Sequence, residues 1–424
     1  MLLIRNVRVV DPFCGESKSD ILIEQDKIIK MGSIQPADYV SVPLIEGDGL
    51  TAIPGLMDAH VHFRDPGFTW KEDLATGARS AAKGGVTSVV CMANTNPPVD
   101  TPAKLHSILE RSRDLPVHLL QACALTRGLK GTELVDMEEM KQAGAAGFTD
   151  DGMPVMDEAL LLKGMQEAAR LDLPISLHEE DPLFIHGAGV NAGEAAGILG
   201  YGGAQSCAED VLTARDCMLC LHTGAEVVIQ HISSANAVEM VRLAKKLGAR
   251  IHAEATPHHF TLTEEAVLRY GANARMNPPL RTEKDRMAII EGLQDGTIDM
   301  IVTDHAPHSR EEKQKPIDQA PSGIIGLETS LALAIHSLVE PGYLTLSEVV
   351  ARMSTNPAAL YHQEGGQIRE GGRADLVLFA PQERWTVDTF ASKAANSPFI
   401  GWKLPGKIYC TICGGRIVYD VKSE

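Results

Sequence analysis

No apolar run in this chain of 424 residues reaches the roughly 18 that a membrane-spanning helix needs. The opening Met1-Leu2-Leu3-Ile4-Arg5-Asn6 lacks the basic head and cleavage site of a secretory signal. Both absences lead to the expectation of a cytoplasmic protein without membrane contacts. Basic residues are in deficit: 39 Lys and Arg against 56 Asp and Glu give a formal net charge of −17. Nucleic-acid binding depends on clustered positive charge, so a nucleic-acid partner is excluded. Cysteine is sparse too. Eight residues over this length make no disulfide framework, and a reducing compartment keeps them as thiols.

Two of the cysteine spacings are CxxC. Cys217 and Cys220 lie in a helical run, where residues three apart share a face, so they read as core. Cys410 and Cys413 precede Gly414-Gly415 in an alternating pattern that describes a two-residue hairpin. Cysteines three apart on a strand point to opposite faces, which argues against a zinc knuckle there.

The 44% hydrophobic and 22% charged content is that of an ordinary globular protein with ample core. The length accommodates an α/β barrel of about 250 residues plus an accessory unit. Short β segments at 2–10 and 20–30, and again at 374–379, 407–413 and 416–419, suggest a small β-sandwich built from both termini, 1–54 with 366–424. Over 55–365 the pattern becomes strand, loop, helix, repeated. Strands are expected at 55–62, 86–93, 117–125, 146–150, 174–178, 226–231, 250–256 and 298–304, with amphipathic helices between them. Eight such units imply a TIM-like (β/α)8 barrel.

His60 and His62 mark the end of the first strand, where residues two apart point the same way and both rings can reach one cation. Asn94, Asp151, His178, His231 and Asp304 also fall at or just past strand C-terminal ends. Those ends converge on one face of a barrel, so residues distant in sequence become neighbours. Singly each has an ordinary explanation: a core histidine, or a turn at Asp150-Asp151-Gly152. Together, four imidazoles and two carboxylates suffice for one zinc-like ion with an open position, or for two ions sharing a bridge, the arrangement we favour. Asp304 is placed to hold a water and shuttle its proton to a departing nitrogen, which makes hydrolysis the expected chemistry.

The stretches His60-Val61-His62-Phe63-Arg64-Asp65-Pro66-Gly67, Asn94-Thr95-Asn96-Pro97-Pro98, Phe148-Thr149-Asp150-Asp151-Gly152, Asn277-Pro278-Pro279-Leu280-Arg281 and Asp304-His305-Ala306-Pro307-His308 resemble the bacterial class I dihydroorotases of the amidohydrolase superfamily. The resemblance spans nearly the whole chain. It implies reversible, zinc-dependent hydrolysis of the cyclic amide of L-dihydroorotate, a small anionic substrate, to N-carbamoyl-L-aspartate in pyrimidine synthesis. It further implies that His60, His62 and Asp304 hold one zinc, that His178 and His231 hold the other, and that Asp151 and a hydroxide bridge them; a single ion is the alternative. Asp304 is then the catalytic acid and base. Substrate contacts fall on His62, Phe63, Arg64, Asn94, Asn277, His308 and the backbone at Ser322 and Gly323. Ser322 departs from the aromatic residue usual before that glycine.

The charged segment 309–321 reads as a mobile loop that covers bound substrate. His258 and His259, near another strand end, are assigned to local packing or capping. Hydantoinases and allantoinases share the barrel but bridge their metals with a carboxylated lysine at the fourth strand. No lysine stands there, since Lys141 and Lys163 flank that strand on expected helices. An inactive scaffold for aspartate transcarbamoylase would have lost metal ligands, and all six are present. The resemblance leaves room for a homodimer and for a complex with that partner.

Overall fold

The computed structural model describes residues 1–187 and 189–423. Eight parallel strands run in sequence order around a barrel: Leu56–Val61, Val86–Cys91, His118–Cys123, Gly147–Thr149, Ile175–Leu177, Val227–Ile229, Ile251–Ala255 and Met300–Ile301. Each falls inside the stretch expected of it. The strands are nearly continuous apolar runs because both faces are covered, by side chains inside and helices outside. Val90 and Met92 of the second strand face the barrel interior, whereas Val89 and Cys91 face the helices.

The first strand breaks this alternation. Met57 and Ala59 face the interior, but Val61 belongs to the outer core. A register shift between Asp58 and Val61 changes the phase, so that His60 and His62 point inward at the mouth. Such bulges commonly re-aim side chains beside active sites. The barrel closes through a single parallel bridge between Val61 and His305, where the His62 N–H donates to the His305 carbonyl at 2.9 Å. Asp58 reinforces the seam by accepting from the Thr303 N–H at 3.1 Å.

The covering helices start where the sequence supplies caps. Asp73 and Thr76 form a capping box at Leu74–Lys83, and Asp157 accepts from the Leu160 N–H at the head of Glu158–Leu171. Leu161, Met165 and Ala168 bury one face of the latter, as the three-to-four-residue spacing requires.

The termini join in one further eight-stranded sheet, in which Thr51–Pro54 pairs antiparallel with Leu376–Ala380. The sheet curls round on itself: a Cβ on Gly415, in the turn before one edge strand, would overlap the carbonyl of Gln25, in the turn before the other edge strand. Gly414 and Gly415 make the expected two-residue turn at φ 54° and 71°. The segment 20–30 is not continuous. It turns at Gln25-Asp26, with Gln25 at φ 54° and Glu24 paired with Lys27, a hairpin that neither glycine nor proline announces.

Candidate active site and metal centre

The strand ends bring all six expected ligands to one place. Asp151 is central: its Oδ1 lies 3.5 Å from His60 Nε2, 3.8 Å from His178 Nδ1 and 3.9 Å from His231 Nε2, and its Oδ2 lies 3.5 Å from His62 Nε2. Two groups of donors share it, His60, His62 and Asp151 on one side and Asp151, His178 and His231 on the other. Asp304 Oδ1 stands 3.0 Å from His62 Nε2 and 3.7 Å from His60 Nε2. Asp150, next to Asp151 in the chain, turns away and accepts from the Leu125 and Thr126 N–H groups, so only one of the two adjacent carboxylates enters the site.

The ligand rings are aimed by groups behind them. Glu254 Oε2 is 3.1 Å from His60 Nδ1, Glu180 Oε2 is 3.0 Å from His178 Nε2, and Asn94 Oδ1 is 2.9 Å from His62 Nδ1. Such partners fix the tautomer and orientation of a metal-binding imidazole. Sequence reasoning missed both glutamates. Glu180 had a signal, because it is two residues beyond His178 on extended chain; Glu254 had a fainter one, as a carboxylate inside a buried strand.

The donor set fits a divalent cation on two observations. His60 Nε2, the atom that faces Asp151, is buried without a hydrogen-bond partner. The field of the cluster also calls for positive charge. Burial opposes ionisation of His60, yet Asp151 and Glu254 outweigh it and hold the ring well above its ordinary value. His178 moves up in the same way: burial opposes, Glu180 and Asp151 prevail. Burial also works against the carboxylate of Asp151, but His60, His231 and His62 hold it well below the usual range. Nitrogen and oxygen donors in this combination suit zinc and its neighbours.

Above the cluster lies a cavity of about 330 Å³, lined on its other side by Arg64, Asn277, His308, Ser322 and Gly323. Arg64 brings positive charge to this half. Burial, with Arg64, Lys71 and Lys313 nearby, drives His308 down to about 2, so its ring is neutral; its Nε2 lies 2.8 Å from the Ser322 carbonyl. Asn277 Oδ1 is buried and unpartnered. Asn94 lines the cavity, but both ends of its amide are engaged, Oδ1 with His62 and Nδ2 with Asp151 Oδ2 at 2.8 Å. Phe63 is not brought to the cavity. With His62 facing in, the next side chain faces out, and its ring fills the space left by Gly77, 6.5 Å from that of His305.

Segment 309–321 has defined structure. Ser309 and Glu312 form a capping box on the short helix Arg310–Lys313; Lys71 pairs with Glu312 at 2.8 Å, and Lys313 donates to the Pro321 and Gly323 carbonyls at 2.9 Å. His259 is held locally, its Nδ1 2.8 Å from Thr256 Oγ1 and its Nε2 3.0 Å from the Pro278 carbonyl. Lys141 donates to the Leu171 carbonyl at 2.6 Å, away from the fourth strand's end. No helix among the described residues is long and apolar enough to cross a membrane.

Residues 51–418 match the Amidohydrolase family, and the chain belongs to it. Within that family its curated relatives include dihydroorotases that match over the full chain. That of Clostridioides difficile (strain 630) is 56% identical over 421 residues, covering 99% of this chain and 100% of the relative. That of Clostridium acetobutylicum is 49% identical over 425 residues and covers both chains fully. Among solved structures, L-hydantoinase (dihydropyrimidinase) from Arthrobacter aurescens aligns with a TM-score of 0.87 at 26% identity, over 99% of this chain and 96% of that one. Dihydropyrimidinase from Brevibacillus agri NCHU1002, at 23% identity and a TM-score of 0.85 over 99% of this chain and 95% of that one, shares the fold.

Proposed function

We propose that the chain hydrolyses the cyclic amide of L-dihydroorotate, reversibly, to N-carbamoyl-L-aspartate in de novo pyrimidine synthesis. The observation that carries this reading is the two-sided cavity: a cation-seeking cluster of imidazoles and carboxylates faces the Arg64 guanidinium beside a neutral His308. A ring with a carboxylate at one end and an amide at the other matches both halves. A hydantoin ring without the carboxylate leaves the cationic half unanswered. The dihydroorotase relatives, similar over the full chain, support the same choice.

His60, His62, Asp151, His178, His231 and Asp304 would hold two zinc ions, with Asp151 shared. A divalent cation bound there supplies Lewis acidity toward the ring carbonyl and makes water a nucleophile at neutral pH. Asp304 takes the proton of the attacking water and returns it to the ring nitrogen as the carbon–nitrogen bond breaks. Burial works against its ionisation, but the hydrogen bond from His62 and the proximity of His60 and His231 keep it an anion, ready to accept. Arg64 grips the substrate carboxylate with parallel N–H donors, and Asn277 and the Ser322–Gly323 backbone orient the ring. Asn94 acts through His62 and Asp151.

The division into a catalytic barrel over 55–365 and a composite β unit from 1–54 and 366–424 belongs to this reading, supported by the pairing of Thr51–Pro54 with Leu376–Ala380. A cytoplasmic homodimer, alone or with aspartate transcarbamoylase, is its remaining part and rests on the resemblance. The test is a ring-opening assay on dihydroorotate, hydantoin, allantoin and dihydrouracil with zinc content measured alongside. Preference for dihydroorotate is expected; preference for an uncharged ring sinks the assignment.

A further inference from the structure

At the end of the barrel opposite the cavity, three segments converge. His118 opens the third barrel strand, Asp375 precedes Leu376–Ala380, and Cys413 ends Lys407–Cys413. One donor atom from each lies within 4.8 Å of the other two. His118 is partly exposed, but its Nε2 is screened from solvent and lies 3.4 Å from Asp375 Oδ2, in ion-pair range but without the geometry of a hydrogen bond. Asp375 and Cys413 are themselves buried, with Cys413 Sγ 3.6 Å from the Thr87 carbonyl. Cys410 faces the other way, into the core of the terminal sheet, so the CxxC spacing alone makes no site.

We propose that His118, Asp375 and Cys413 form a separate site for a thiophilic divalent cation of the zinc class, tying the C-terminal hairpin to the base of the barrel. Sulfur, imidazole nitrogen and carboxylate oxygen are a donor set that zinc prefers over magnesium or calcium. Ligand atoms around zinc sit roughly 3–4 Å apart, so small side-chain rotations close the triangle onto an ion. A cavity of about 640 Å³ adjoins His118, Cys413 and Gly414 and gives water access to the fourth position.

Two neighbours bear on the affinity. The Gly414 N–H donates to Asp375 Oδ1 at 2.7 Å and Arg373 Nε donates to Oδ2, which orients the carboxylate and leaves lone pairs over. The charge of Arg373 works against a cation, making this site weaker than the one at the barrel mouth. Burial, with Asp375 beside it, pushes the Cys413 thiol up to about 12, so an arriving ion must displace a proton and uptake strengthens with pH. At the base of a barrel, remote from the chemistry, such a site serves stability.

Cobalt(II) is the probe, because a thiolate on cobalt gives a near-ultraviolet charge-transfer absorption that imidazole and carboxylate ligands do not. The six residues at the barrel mouth are silent in that band. Full-length protein stripped of metal and titrated with cobalt at pH 8 should develop the band, saturating at one ion per chain. Cys410→Ser should keep it, Cys413→Ser should lose it, and His118→Ala should weaken cobalt binding in that band by at least about tenfold, all with unchanged circular dichroism. A band that persists in Cys413→Ser, or its absence from folded wild type at millimolar cobalt, overturns the proposal. His118→Ala, at a partly exposed position, keeps the test decisive if Cys413→Ser does not fold, since an unaltered band there overturns it equally.

Discussion

Glu254 Oε2 lies 3.1 Å from His60 Nδ1, which leaves His60 Nε2 aimed at Asp151. The seventh strand thereby sets the tautomer of an imidazole on the first. Glu254→Ala should weaken metal retention by about 10- to 100-fold while the barrel still folds. Metal content after dialysis against graded chelator reads this directly, and wild-type retention removes the orienting role.

Asp304 is proposed to carry the proton, a role its amide cannot fill. Asp304→Asn should keep the fold and most of the metal but lose about 10²- to 10⁴-fold in kcat. Near-normal turnover at normal metal content contradicts the assignment.

Arg64 is half-buried at φ 59°, beside His308, with its Nε 3.3 Å from the Pro307 carbonyl. A charge-assisted contact is worth about 1.5–3 kcal/mol, so Arg64→Met should raise KM for dihydroorotate by roughly 10- to 100-fold with little change in metal content. A normal KM argues against carboxylate recognition.

Lys313 supplies the pH dependence. Burial, with Arg275 adding to it and Glu312 opposing, lowers its amine from 10.5 to about 7. The folded chain then binds fewer protons here than the unfolded chain between about 7 and 10.5. Stability from this group therefore rises with pH through that window, and the cost of burying its charge is full below it. Urea midpoints of wild type minus Lys313→Met should climb from pH 7 to pH 10. A flat or falling difference refutes it.

The segment from 310 to 321 is tethered by Lys71, Arg275 and its own Lys313 next to the cavity wall at Ser322. Its replacement with a short Gly/Ser linker should raise KM and lower kcat together, as expected of a cover that excludes water. Unchanged values for both leave it as a mere connection.

Much of the barrel was legible because its strands are short apolar runs, six of the eight ending in a histidine, aspartate or asparagine, and that pattern is local. What lay outside the sequence depends on tertiary meetings. Glu254 reaches His60 only because the barrel closes, and Asn94 reads as a substrate contact until His62 and Asp151 are seen to occupy both ends of its amide. The Phe63 side chain turns out against Gly77 because one position along an extended chain reverses a side chain. The hairpin at Gln25-Asp26 was hidden because its left-handed residue is a glutamine. The segment 309–321 has no hydrophobic period, and its order comes from a cap and from lysine contacts to carbonyls that spacing does not reveal.

The first and last barrel strands meet in one bridge, at Val61 and His305, directly beneath His62 and Asp304. Every other neighbouring pair of staves shares a longer ladder or a helix that spans them in sequence, so this join is where the cylinder would unzip. Any ion gripped by both His62 and Asp304 acts as a clasp across it. A cation held there would couple occupancy of the mouth to closure of the cylinder, so stripping it should let the join part at a lower temperature.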